Sequence, residues 1–158
     1  MKRMDAVLVI GASGILAPAA AALASRGTQV TGVARTRRMP AGVEPLYIDA
    51  ASEDALSAAL GDRRWSAAIV YEPAVSPLTL ELITSAVDRI VLVRTTAAVG
   101  PSRGEPASAS EVLQLGWTCG PGPARWHTPE EVSAAALEVL VDGQPRVLGE
   151  IRPWSRRP

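Results

Sequence analysis

Residues 6–17 read AVLVIGASGILA, and the fold turns on that stretch. Ala6 to Ile10 is an unbroken apolar run, the pattern of a strand covered on both faces. Gly11 and Gly14 follow at once, and an Ala-rich segment predicts a helix over 15–25 that ends at Gly27. The spacing is G-x-x-G-x-x-A. Gly11 permits a tight turn out of the strand, Gly14 lets backbone come close to a ligand with no Cβ in the way, and the small Ala17 lets the helix lie near the sheet. A plain strand–turn–helix corner would use the same residue types. A buried strand before the glycines and a helix after them point instead to a turn that cradles phosphate.

Outward from this unit the chain alternates short β-rich runs with Ala/Leu-rich runs. Strands are expected at 29–34 (QVTGVA), 45–48, 67–71 (AAIVY), 89–94 (RIVLVR), 112–118 and 146–151. Helices are expected at 52–60, with Ser52 as cap, at 78–87 and at 128–141. The last carries the fullest start signal, with Thr128 as cap, Pro129 at the first helical position and Glu131 closing a capping box. Residues 35–42, 97–109 and 119–125 read as loops, and 154–158 as a tail. Strands alternating with helices imply a parallel sheet built from right-handed crossovers. The fold class expected is α/β, a Rossmann-type doubly wound three-layer sandwich with a mostly parallel sheet. The strand order should be 3-2-1-4-5-6, with a ligand at the carboxyl ends where the order reverses. The whole chain, 1–158, is expected to form this one domain.

Composition narrows the function. Formal net charge is zero, which argues against bulk nucleic-acid or membrane-surface binding. No run approaches the length of a membrane span and no signal-peptide pattern opens the chain, so a cytoplasmic setting is expected. Cys119 is the only cysteine, so no internal disulfide can form, and a reducing compartment fits. With one histidine, His127, it makes no metal site of ordinary ligand count. Lys2 is the only lysine among sixteen basic residues, which removes any mechanism that needs an internal lysine.

The remaining polar positions follow the strand ends. Gly11, Ala12, Ser13, Gly14, Ile15 and Leu16 form the phosphate turn. The second strand ends Val33-Ala34-Arg35, with Arg37 and Arg38 close behind. A dinucleotide whose ribose is unphosphorylated usually meets Asp or Glu here. Ala34 takes that place, and a guanidinium suits a 2′-phosphate by charge and by its fork of donors. Arg35, with Arg38, therefore favours NADP(H) over NAD(H), against the reading of a solvated basic loop. Asp49, with Ala50, closes the third strand and either accepts from an adenine amino group or holds a turn. Pro73 and Ala74 follow the fourth strand, beside the cofactor riboses. His127 reads first as packing at the helix entry with Trp126. Trp117, Trp126 and Trp154 line either an apolar pocket or an oligomer interface. Cys119 reads as an inert thiol rather than a reactive one.

GASGILA, the VAR segment, Asp49 and the Thr-rich end of strand five resemble the short-chain dehydrogenase/reductase superfamily, over nearly the whole chain. TAAVGP, VLQLGW and ARWHTPEEVSAAALEVL resemble a group of small bacterial members of it. The resemblance implies a nicotinamide cofactor and places Thr96 where that family keeps its catalytic serine. The family's Tyr-x-x-x-Lys is absent, for the only tyrosines are Tyr47 and Tyr71. Ser110 and Glu111 stand near its place. The usual proton relay cannot operate. Hydride transfer is the cofactor's own chemistry, but a reduced carbonyl still needs a proton. The candidates at the sheet's carboxyl edge are Tyr71, Glu72, Thr95, Thr96 and His127, of which Thr96, Tyr71 and Glu72 are the catalytic assignment. The leading expectation is an NADP(H)-dependent oxidoreductase on a small apolar substrate, as a homodimer. The alternatives are a non-redox cyclase, isomerase or dehydratase on the same scaffold, and a non-catalytic cofactor-binding sensor.

Overall fold

A computed structural model describes residues 5–98, 111–118 and 120–158. Among the described residues nine strands run in chain order: β1 (Ala6–Ile10), β2 (Gln29–Ala34), β3 (Val43–Tyr47), β4 (Trp65–Tyr71), β5 (Val87–Arg94), β6 (Val112–Leu115), β7 (Trp117–Thr118), β8 (Arg125–Trp126) and β9 (Arg146–Leu148). The helices are α1 (Ala17–Ser25), α2 (Glu53–Leu60), α3 (Pro77–Ala86) and α4 (Pro129–Asp142). Seven strands form one sheet in the order β3-β2-β1-β4-β5-β6-β9, every pairing parallel. This is the Rossmann-type order, with the reversal between β1 and β4.

Strand β1 shows why the run had to be apolar throughout. Val7 and Val9 enter one core with Leu16, Ala19, Ala20 and Leu23 of the α1 side and Val132, Ala136 and Val139 of α4. Leu8 and Ile10 enter the other, with Leu56, Leu60 and Ile83 of α2 and α3. Alternate side chains of one strand thus face different helix layers. The two layers on the first face are tied where Ser133 Oγ donates to the Ile15 carbonyl at 3.0 Å. Gly32 in β2 is required by the same layer, since a Cβ there would lie 2.8 Å from the Cβ of Ala12.

Helix caps follow the sequence closely. Ser52 Oγ accepts from Ala55 N, and Thr128 and Glu131 form the expected reciprocal box. Several boundaries move. The helix expected from Ile15 starts at Ala17, because Gly14 N and Leu16 N both donate to the Gly11 carbonyl and hold 14–16 in the turn. The sixth strand, expected to run to Thr118, stops at Leu115. A Cβ on Gly116 would fall 2.2 Å from the Glu150 carbonyl oxygen, so the chain passes that point only as glycine. Beyond it Trp117–Thr118 turns away to pair antiparallel with Arg125–Trp126, whose Arg125 falls at the end of the stretch expected to be irregular. The last strand, expected to Ile151, ends at Leu148, where Gly149 takes φ +79°. The tail folds back, so that Trp117, fully buried, meets Trp126 and Trp154 edge-on, each at 6.2 Å. Ser110, Cys119 and most of the loop expected at 97–109 lie outside the described residues. Among the described residues no helix is long and apolar enough to cross a membrane, and no cluster of three potential metal ligands occurs.

Candidate functional site

A cavity of about 620 Å³ opens at the carboxyl ends of β1, β2 and β4. Its floor is the glycine turn: Gly11, Ser13, Gly14 and Ile15 line it. Gly11 sits at φ +101°. A Cβ on Gly14 would meet only the Gly11 carbonyl oxygen, at 3.9 Å, so the space above this residue is open. The amides of Ser13 and Ile15 donate to nothing in the described protein. Helix α1 begins behind them with no side-chain cap. Exposed amides at a helix start, with open space above them, form an anion cradle. A pyrophosphate fits this donor set.

The far wall of the cavity holds Val33, Ala34, Arg35, Thr36 and Arg37, then Ile48, Asp49, Ala50 and Ala51. Neither Arg35 nor Arg37 has an ion-pair partner among the described residues. One carboxylate oxygen of Asp49 accepts from Ala51 N at 2.9 Å, which fixes the turn after β3. The residue lines the cavity as well, so turn and ligand roles are compatible. Pro73 and Ala74 close the near wall with Tyr71.

Three of the sequence-derived cofactor positions stand apart. Ala12 and Leu16 are fully buried, and their side chains belong to the core under the turn. Arg38 is exposed and does not line the cavity, whereas Arg37 does.

A second chamber of about 280 Å³ adjoins the first, and Ile15 and Tyr71 line both. Its other walls are Thr95, Thr96, Leu115, Gly116, Trp126, His127 and Val132. Here β4, β5, β6, β8 and the entry to α4 converge, and the polar groups are few. Burial raises the Tyr71 phenol above its ordinary pKa, so it is a protonated hydroxyl at neutral pH. Of the catalytic assignment, Tyr71 and Thr96 meet in this chamber and Glu72 does not. Glu72 lines neither space and is held by Arg94, whose Nε lies 3.0 Å from its Oε2.

His127, read from the sequence first as helix-entry packing and also as a proton-donor candidate, lines this chamber. Its side chain is 7% exposed. It follows an exposed tryptophan and precedes a well-signalled helix, which suggests packing. The structure puts it at the chamber wall because β8 brings Trp126 against Trp117 and turns the α4 entry toward the sheet's carboxyl edge. The sequence signal that placed it there is that an α4 start, in this topology, must lie near that edge.

No family model and no curated protein matches the chain. Solved structures do resemble it. The enzyme WbmH of Bordetella bronchiseptica, in complex with NAD+, superposes with TM-score 0.67 at 14% identity, over 93% of this chain and 75% of that one. BdcA in complex with NADPH gives 0.63 at 14% identity, over 91% and 92%. ChuY of E. coli CFT073 gives 0.61 at 18% identity, over 93% and 97%. At such identities the likeness is one of fold.

Proposed function

We propose that the chain binds NADP(H) in the larger chamber and reduces, or in reverse oxidises, a small apolar substrate in the smaller one, as an atypical relative of the short-chain dehydrogenases. One observation carries the reading. The two chambers share Ile15 and Tyr71 as common wall, so a dinucleotide seated on the glycine turn and extended along the strand ends would bring its reactive ring beside Thr95 and Thr96. The amides of Ser13 and Ile15 would take the pyrophosphate, Arg35 and Arg37 a 2′-phosphate, and Asp49 the adenine edge. The bound cofactor supplies hydride chemistry. The protein supplies orientation, a chamber with few polar groups, and hydroxyls at Thr96 and Tyr71 that hold the substrate's oxygen. Two neighbours of the same fold were solved with NAD+ and NADPH, which supports a nicotinamide ligand.

Titration of the purified protein with NADPH, followed by nicotinamide fluorescence, tests this. Saturable binding that is tighter than for NADH is expected. Absence of binding at millimolar NADPH would end the reading. The missing Tyr-x-x-x-Lys relay motivates a second one, a non-redox enzyme on this scaffold. Substrate turnover that survives thorough cofactor removal would favour it.

A further inference from the structure

Strand β6 reads Val-Leu-Gln-Leu, with an amide in a strand that is buried throughout. Gln114 is buried like Leu113 and Leu115 on either side of it. Burying a primary amide costs free energy unless its donors and its acceptor find partners. Here only the donor end does. Nε2 donates to the Thr95 carbonyl at 2.9 Å and to the Leu115 carbonyl at 3.0 Å. Two carbonyl acceptors fix which end of the amide is nitrogen. Oε1 is buried and has no partner among the described residues. The other buried polar side chains described serve the frame. Thr31 accepts from Arg63 and Trp65, Thr79 closes the cap of α3 with Ser76, and Ser133 donates to the Ile15 carbonyl. Gln114 spends its bonds elsewhere. The parallel ladder between β5 and β6 ends at the pair Arg94–Gln114, and the side-chain amide adds one rung beyond it, to the first residue after β5. Both residues that it holds, Thr95 and Leu115, line the smaller chamber, Thr95 next to Thr96 and Leu115 next to Gly116. Gln114 itself lines neither chamber. The hydroxyls of Thr95 and Thr96 make no hydrogen bond among the described residues, so they stay available to a ligand.

We propose that Gln114 is a positioning residue of the smaller chamber. It clamps the Thr95 and Leu115 carbonyls across the seam between β5 and β6, and so fixes the Thr95–Thr96 wall against which the nicotinamide end of the dinucleotide is seated. The inference rests on the reading of the larger chamber as a nicotinamide dinucleotide site. An apolar side chain of the same length would suit the buried strand and would leave both carbonyls untethered. The amide is therefore explained by what its donor end holds. Misplacing such a wall by about an ångström is enough to cost a reacting geometry about 100-fold.

The chain has no asparagine and three glutamines, of which Gln29 and Gln144 are exposed. Gln114 therefore gives the one side-chain amide pair protected from hydrogen exchange in a proton–nitrogen correlation spectrum of the whole protein. The probes are NADPH and adenosine 2′,5′-bisphosphate, which carries the adenine half without the nicotinamide. NADPH is expected to shift this pair saturably, and the bisphosphate to leave it unmoved. In parallel, Gln114→Met should keep bisphosphate affinity within about twofold and lose about tenfold in NADPH affinity, the worth of one hydrogen bond. A general loss of structure would weaken both ligands alike. The proposal is overturned if NADPH saturates the protein with the Gln114 pair unmoved, or if both ligands move it equally. It is equally overturned if Gln114→Met binds both ligands as the wild type does, or loses both to the same degree. If that variant does not fold, the wild-type spectra decide alone. Failure of NADPH to bind sinks the underlying dinucleotide reading instead, and is seen separately in the fluorescence titration.

Discussion

A Cβ placed on Gly11 would stand 3.2 Å from the Cβ of Tyr71. The residue that opens the glycine turn and the residue that closes β4 thus approach each other across the point where the strand order reverses. Tyr71 can wall both chambers only because position 11 has no side chain. Gly11 also sits at φ +101°, where other residues are strained. Gly11→Ala should therefore destabilise the fold by about 1–3 kcal/mol and displace Tyr71. Thermal denaturation reads the first effect, and loss of at least tenfold in NADPH affinity reads the second. Wild-type stability together with wild-type affinity would contradict this geometry.

Arg35 and Arg37 face the larger chamber with no acidic partner among the described residues. A charge-assisted contact to a 2′-phosphate is worth about 1.5–3 kcal/mol, roughly a 10- to 100-fold change in affinity. Arg35→Ala should weaken NADPH by that factor and leave NADH within about twofold. Equal losses for the two cofactors would assign Arg35 to a general electrostatic role instead.

Gly149 is a tight joint beside His127. A Cβ there would fall 2.4 Å from the Trp117 carbonyl oxygen as well as on the His127 ring, at φ +79°. Gly149→Ala should cost about 3 kcal/mol or more, since backbone and strain oppose it together. The check is chemical denaturation, with the midpoint expected to fall at an unchanged slope.

Glu131 has its carboxyl pulled down from 4.5 to about 2, by the Arg125 guanidinium first and by the Thr128 amide next. A folded-state value below the unfolded one means stability that is present above the unfolded value and lost as pH falls toward the folded one. The α4 capping box should thus weaken between about pH 4.5 and pH 2. Asp142, lowered by the Gln144 amide and by Arg146, acts in the same direction. Glu131→Gln should flatten, without abolishing, the acid limb of a stability–pH curve. An unchanged limb would show that the box does not couple to folding.

How much could be read beforehand depends on the range of the forces involved. The glycine turn, the caps at Ser52 and Thr128 and the strand β1 were legible because each is a local pattern. Boundaries failed where a distant segment intervened: Glu150 ends β6 at Gly116, and Arg125–Trp126 recruits Trp117–Thr118. Glu72 had the right position along the chain for the site, but Arg94, twenty-two residues on, claims it. Arg37 rather than Arg38 lines the cavity because that choice depends on how the loop after β2 folds back.

By itself, the order of residues determined the α/β alternation, the parallel sheet and the glycine-turn corner after β1, because hydrophobic period, glycine placement and capping are encoded within a few neighbouring residues. Tertiary structure alone decided that Tyr71, Thr95, Thr96 and His127 share one small chamber. Those residues come from three separate chain segments, and only the packing of α4 and the β7–β8 ribbon against the sheet's carboxyl edge sets the distances among them.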